Sequence, residues 1–179
     1  MSEIVYRDAW RRKDPAIERD AELFWRAQRA LPPGADVAVR LGEICAAAYH
    51  GAHVVGLVTA RVRNIAPLRC KLAMFRCLVA PEFRERRVAS ELSVFARDLL
   101  EVWSKDKPGE EVLGLGAIIQ SRLLVEHMPY AVYPDTKLAF IGYTQEGYQM
   151  RVYWFAHAKI SNYWPGDPDS SLSANGLSS

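Results

Sequence analysis

The sequence predicts an α/β fold, a single domain whose mixed central sheet is flanked by helices. Three observations carry this. Apolar runs of strand length come first in a meander, a strand–helix–strand unit follows them, and two segments show strong helical periodicity. The chain's 179 residues suit one domain and suffice to bury a proper core.

In chain order, "EIVYR" at 3–7 reads as a short first strand. Asp14 followed by Pro15 marks a helix start, with Asp as the cap and Pro at the first helical position. Ile17, Ala21, Phe24, Gln28 and Leu31 continue at helical spacing until "LPPG" stops the run. "EICAAAY" and "HVVGLVTARVR" are strands joined by "HGAH" as a hairpin, and "KLAMFRCLVA" is a third strand. Leu92, Phe95, Ala96, Leu99, Leu100 and Trp103 then define an amphipathic helix. After the loop "KDKPGEE", the run "VLGLGAIIQ" reads as a strand buried on both faces.

"SRLLVEHM" reads as a helix ending before Pro129. "PDTKLAFIGY" fits a short helix capped by Asp135 and closed by Gly142, the preferred reading, or a strand over "KLAFIGY". "YQMRVYWFAHA" is the last strand. The domain is expected to span 1–161, with a Ser-, Gly- and Pro-rich mobile tail over 162–179.

Composition narrows the function. A formal charge of +2 gives no whole-protein field for nucleic acid, and the short clusters "RRK" and "RERR" are interleaved with acids. No apolar tract spans a bilayer and the N-terminus has no signal-type apolar region, so a cytoplasmic protein without membrane contact is expected. Cys45, Cys70 and Cys77 cannot all pair and lack metal spacing, and the four histidines form no helical pair, so no metal site is expected.

The informative stretch is "LVAPEFRERRVASEL" at 78–92, where three arginines stand between a strand and a helix. A helix N-terminus offers free backbone N–H groups and the positive end of its dipole, a setting that suits phosphates. Ala89 and Ser90 are small enough for a ligand to approach the backbone.

At these residues the chain resembles the GNAT superfamily of acyl-CoA N-acyltransferases. Their motif R/Q-x-x-G-x-G/A reads here Arg84-Glu85-Arg86-Arg87-Val88-Ala89, preceded by "VAPEF", and the element order over 1–160 is similar to theirs. The resemblance implies a single GNAT-like domain that takes acetyl-CoA or another acyl-CoA as co-substrate and transfers its acyl group to a primary amine. It implies that Cys77, Leu78 and Val79 pair with the pantetheine arm. It also implies that the amides from Glu85 through Ser90 hold the pyrophosphate. Arg87 replaces the motif's first glycine, and either clashes or swings out to add a charge-assisted contact.

For catalysis, "KLAMFRCLVA" holds no carboxylate, and Gln120 stands where some family members have Glu. Little help from a dedicated base is therefore expected, leaving positioning and the amides near Leu78 and Val79. Leu138 takes the place of the family's usual tyrosine, so Tyr133 is the expected proton donor, ahead of Tyr130. Glu43, Glu126 and His127 are weaker candidates, and Trp10, Phe24 and Trp25 are placed on the acceptor side or in the core. A GNAT-like binding or assembly module without catalysis is the alternative, and a homodimer is compatible with either.

Overall fold

The computed structural model describes residues 3–159, so the expected tail lies outside the described residues. Seven strands form one mixed sheet in the order β1-β2-β3-β4-β5-β7-β6. β1 (Ile4–Asp8), β2 (Ile44–His50), β3 (His53–Ile65) and β4 (Cys70–Val79) run as an antiparallel meander. α3 (Val88–Asp106) then carries the chain across to β5 (Val112–Ile119), which lies parallel to β4. β7 (Gln149–Trp154) pairs antiparallel with both β5 and the edge strand β6 (Ala139–Tyr143).

Local chemistry explains the helix boundaries. α1 (Pro15–Ala27) begins where the Asp14 carboxylate accepts from the amides of Ala16 at 2.9 Å and Ile17 at 3.3 Å. Its inner stripe, Ile17, Ala21, Phe24 and Trp25, is buried against β2 and β3 with Ala47, Tyr49 and Leu57. The opposite sheet face packs on α3, whose Val88, Leu92, Ala96 and Leu100 are fully buried. Each such aliphatic side chain contributes roughly 1.5–3 kcal/mol. The sheet thus carries a helix-covered apolar cluster on each face.

Three expectations are corrected. α2 (Val37–Leu41), capped by Asp36, follows α1 although the sequence showed no helix there. The preferred helix over 134–143 is the strand β6, preceded by a turn. Asp135 does not cap a local helix, and Gly142, at φ +146°, lies within the strand where the β6–β7 register shifts. β5 is buried only as far as Ala117, because Ile118 is 43% exposed. α4 (Arg122–His127) forms as expected, with Ser121 as its cap.

Candidate functional site

β4 and β5 pair from Lys71 opposite Val112 to Met74 opposite Gly116, and there the pairing stops. Both strands run on, β4 held by β3 as far as Val79 opposite Gly56, and β5 held by β7 as far as Ile119 opposite Gln149. Each stays with its outer neighbour, so a slot opens in the middle of the sheet with its vertex at Met74 and Gly116.

The β3–β4 register decides which groups face that slot. The Ala80 amide donates to the Val55 carbonyl at 2.9 Å. Backbone groups alternate along a strand, so Leu78 and Arg76 also point to β3, whereas Phe75, Cys77 and Val79 point into the slot. Of the three β4 residues expected to pair with a ligand arm, the main chain of Leu78 is therefore committed to β3. Cys77 and Val79 keep the free edge. The Val79 carbonyl already accepts from Arg84 Nε at 3.2 Å.

The slot leads to the arginine loop. Pro81–Arg86 form 3₁₀ turns, and Arg87 adopts the left-handed conformation at φ +61° before α3 begins at Val88. Arg87 thus takes the backbone conformation that favours glycine, at a cost of roughly 1 kcal/mol. Its side chain swings outward, 70% exposed, with Nη2 3.4 Å from the Asp135 carboxylate. Arg86 lies over the Phe83 ring at 5.2 Å, and Glu85 is exposed. No side chain caps α3 from the Arg87 position, so the amides of Val88, Ala89 and Ser90 keep their orphan character.

An acid has nevertheless come to this helix end from elsewhere in the chain. Asp135 accepts from Ser90 Oγ at 2.5 Å, so one carboxylate bridges Arg87 and Ser90 on the rim of the anion-favouring loop. Residues 128–138 form an irregular strap held by two arginines. Arg97, on α3, donates to the carbonyls of Asp135 and Thr136, each at 3.2 Å. Arg151, on β7, donates to the carbonyls of Tyr130, Ala131 and Leu138.

Tyr133 lies in that strap. It is 5% exposed, its ring faces the Arg151 guanidinium at 3.8 Å, and its hydroxyl has no partner among the described residues. Burial pushes its pKa up, opposed by the charge of Arg151, so the hydroxyl keeps its proton across the neutral range. Cys77 is also a neutral thiol. Burial pushes it up to about 11, partly offset by a hydrogen bond to Ser93.

The remaining candidates scatter. Gln120 and Tyr130 are exposed. Glu126 pairs with Arg122, and His127 Nδ1 meets the Leu123 carbonyl within α4. Glu43 pairs with Arg61 at 3.4 Å on the α1 side of the sheet. Phe24 and Trp25 are core residues on that side, while Trp10 packs edge-on to Trp103 on the other. Among the described residues, no group of three or more His, Cys, Asp or Glu is arranged to hold a metal ion, and no helix is long and apolar enough to cross a membrane. Sequence reasoning missed Asp135 as a partner of α3 and Arg151 as an organiser of the strap. Neither carries a local signal, since both act across the fold.

The fold is that of the GNAT acetyltransferases. An acetyltransferase of the GNAT family from Streptococcus pneumoniae superimposes with a TM-score of 0.56 at 12% identity, over 86% of this chain and all of that one. A structure described as a bacterial toxin gives 0.58 at 10% identity, over 88% and 93% of the two chains. An agmatine N-acetyltransferase gives 0.50 at 14% identity, over 84% and 99%. No family model matches the sequence, and no curated protein matches it. The likeness therefore lies in the architecture, including the single domain and the mixed seven-stranded sheet flanked by helices.

Proposed function

We propose that this protein is an N-acyltransferase that moves an acyl group, acetyl in the simplest case, from an acyl-CoA to a primary amine. The observation that carries this reading is the slot between β4 and β5. It presents the backbone edge of Cys77 and Val79 and opens at one end onto the arginine loop and the uncapped start of α3. An extended arm with amide groups would add to the β4 edge as a partial strand. Its diphosphate would lie against Arg84, Arg86, Arg87 and the amides from Glu85 through Ser90.

In the reaction, the lone pair of a neutral amine forms the new C–N bond at the thioester carbon as the C–S bond breaks. The amine loses one proton and the departing thiolate gains one. The slot supplies orientation and the Cys77 and Val79 main chain, with no carboxylate from β4 to assist. Tyr133, with a raised pKa and an uncommitted hydroxyl, is our assignment for the proton donor. Removing that hydroxyl leaves the ring and its contact with Arg151 in place, so Tyr133→Phe should fold normally. It should lower kcat by about tenfold or more while leaving the acyl-CoA Kd unchanged. Unchanged turnover would remove Tyr133 from the mechanism.

Calorimetric titration with acetyl-CoA tests the reading directly. Binding should appear by high micromolar ligand, and a folded protein that gives no heat there would sink it. Asp135 places a negative charge on the rim of the diphosphate site. Asp135→Asn should therefore tighten acetyl-CoA by about threefold to tenfold at low salt, with the gain shrinking as salt screens it. The same carboxylate favours a second reading, a GNAT-like module in which Asp135 permanently fills the anion position. On that reading neither the wild type nor Asp135→Asn binds acetyl-CoA.

A further inference from the structure

We propose, resting on the acyl-transfer reading above, that the acceptor amine carries an anionic group, a carboxylate or a phosphate, held by an arginine-lined cleft on the α1 side of the sheet. The cleft has a volume of about 310 Å³ and lies between α2 and the β3–β4 ladder. That is the scale of a small-molecule site. Four arginines line it, Arg40 on α2, Arg61 and Arg63 on β3, and Arg76 on β4. The strand register explains their convergence. Arg61 and Arg63 stand two apart on β3, and Arg76 pairs with Thr59 of the same series, so all three share one face of the ladder.

The local acids do not balance them. Glu43 is engaged with Arg61 at 3.4 Å. The Asp36 carboxylate accepts from the Val39 amide at 3.2 Å as the cap of α2. Arg40, Arg63 and Arg76 have no acidic partner among the described residues. Arg40 packs against the core beside the cleft. Its Nε is buried without any hydrogen-bond partner, while its guanidinium lies over the Trp25 ring at 5.5 Å. Planar guanidinium groups suit the paired oxygens of carboxylate and phosphate.

The cleft also lies where an acceptor is needed. Met74 lines it, and Met74 is the last β4 residue paired to β5, with its thioether over Gly116 at the vertex of the slot. An amine tethered through its anionic end to Arg40 and Arg76 would extend along the sheet face toward that vertex.

Calorimetry without any acyl-CoA reads the cleft by itself, using phosphoethanolamine, β-alanine and ethanolamine as probes. We expect one or both anionic amines to bind, with their order telling phosphate from carboxylate, and ethanolamine to give no measurable heat. Arg63 and Arg76 are exposed, and their side chains make no hydrogen bond or ion pair among the described residues. The double substitution Arg63→Gln with Arg76→Gln should therefore leave the melting temperature unchanged and weaken the anionic probes about tenfold or more. Ethanolamine binding as tightly as phosphoethanolamine, wild-type affinity in the double variant, or no binding of either anionic amine would each overturn the proposal. If phosphoethanolamine binds and acetyl-CoA does not, the anion site stands, while its role as an acceptor site falls with the acyl-transfer reading.

Discussion

Replacing Arg151 with Met is expected to destabilise the protein by about 3–5 kcal/mol, read as a lower denaturation midpoint at an unchanged m-value. The side chain is only 2% exposed and has no acidic partner among the described residues. Its charge is met instead by neutral oxygens. Nη2 donates to the Tyr130 carbonyl and to Gln149 Oε1, both at 2.9 Å, and Nη1 reaches the carbonyls of Ala131 and Leu138 at 3.4 Å. Met fills much of the volume but donates nothing. Main-chain acceptors in the strap would lose their partner, the Leu138 carbonyl in a buried position and those of Tyr130 and Ala131 in partly buried ones, and the Tyr133 ring would lose its cation. A loss below about 1 kcal/mol would show that these carbonyls find water or each other, and that the strap does not depend on Arg151.

Gly114→Ala is expected to cost about 3 kcal/mol or more, and Gly116→Ala clearly less, roughly 1 kcal/mol. Both glycines lie on β5 beneath neighbouring groups, but the obstacles differ in kind. A methyl group at 114 would run into the Tyr153 main-chain carbonyl and the Trp154 Cα, which belong to the paired strand β7 and cannot rotate aside. At 116 the obstacle is the Met74 thioether, the end of a side chain with three rotatable bonds. The ranking is the test. Equal losses would mean that the Met74 side chain is locked at the vertex as firmly as a main chain. If Gly116→Ala also impaired acyl-CoA binding at unchanged stability, displacement of Met74 into the slot would explain it.

Most of the architecture was legible because its signals are local. Asp14 before Pro15 caps α1, and the heptad-like spacing from Leu92 to Trp103 gives α3. The meander follows from apolar runs broken at "HGAH" and after Arg63. β6 was misread because a capping signal has a partner that the sequence does not name. Asp135 has the chemistry of an N-cap but binds Ser90 on a helix that precedes it by 45 positions. Gly142, read as a helix stop, instead serves a register shift in an edge strand. Arg151 was equally opaque. In "YQMRVYWF" an arginine reads as the solvent face of a strand, and only the strap folded over it makes that face interior.

The candidate site was legible in part. The arginine loop and the edge of β4 follow from the motif, whereas the commitment of Leu78 to β3 depends on register, which no motif encodes. At Arg87 the structure shows the backbone and side-chain placement that the motif by itself does not specify. The conformation suited to glycine is retained, and the side chain leaves the loop for Asp135.

The slot between β4 and β5 also has a consequence for water. The Cys77 amide and carbonyl and the Val79 amide face it near the centre of a seven-stranded sheet with no strand beside them, whereas the Val79 carbonyl takes Arg84. Backbone groups do not stay unpaired away from solvent, so water would pair with these groups until a ligand arm takes its place. A ligand arm entering along β4 would release those molecules while replacing their hydrogen bonds. Part of the driving force for binding would then reside in solvent set free from the interior, and the heat of association alone would understate it.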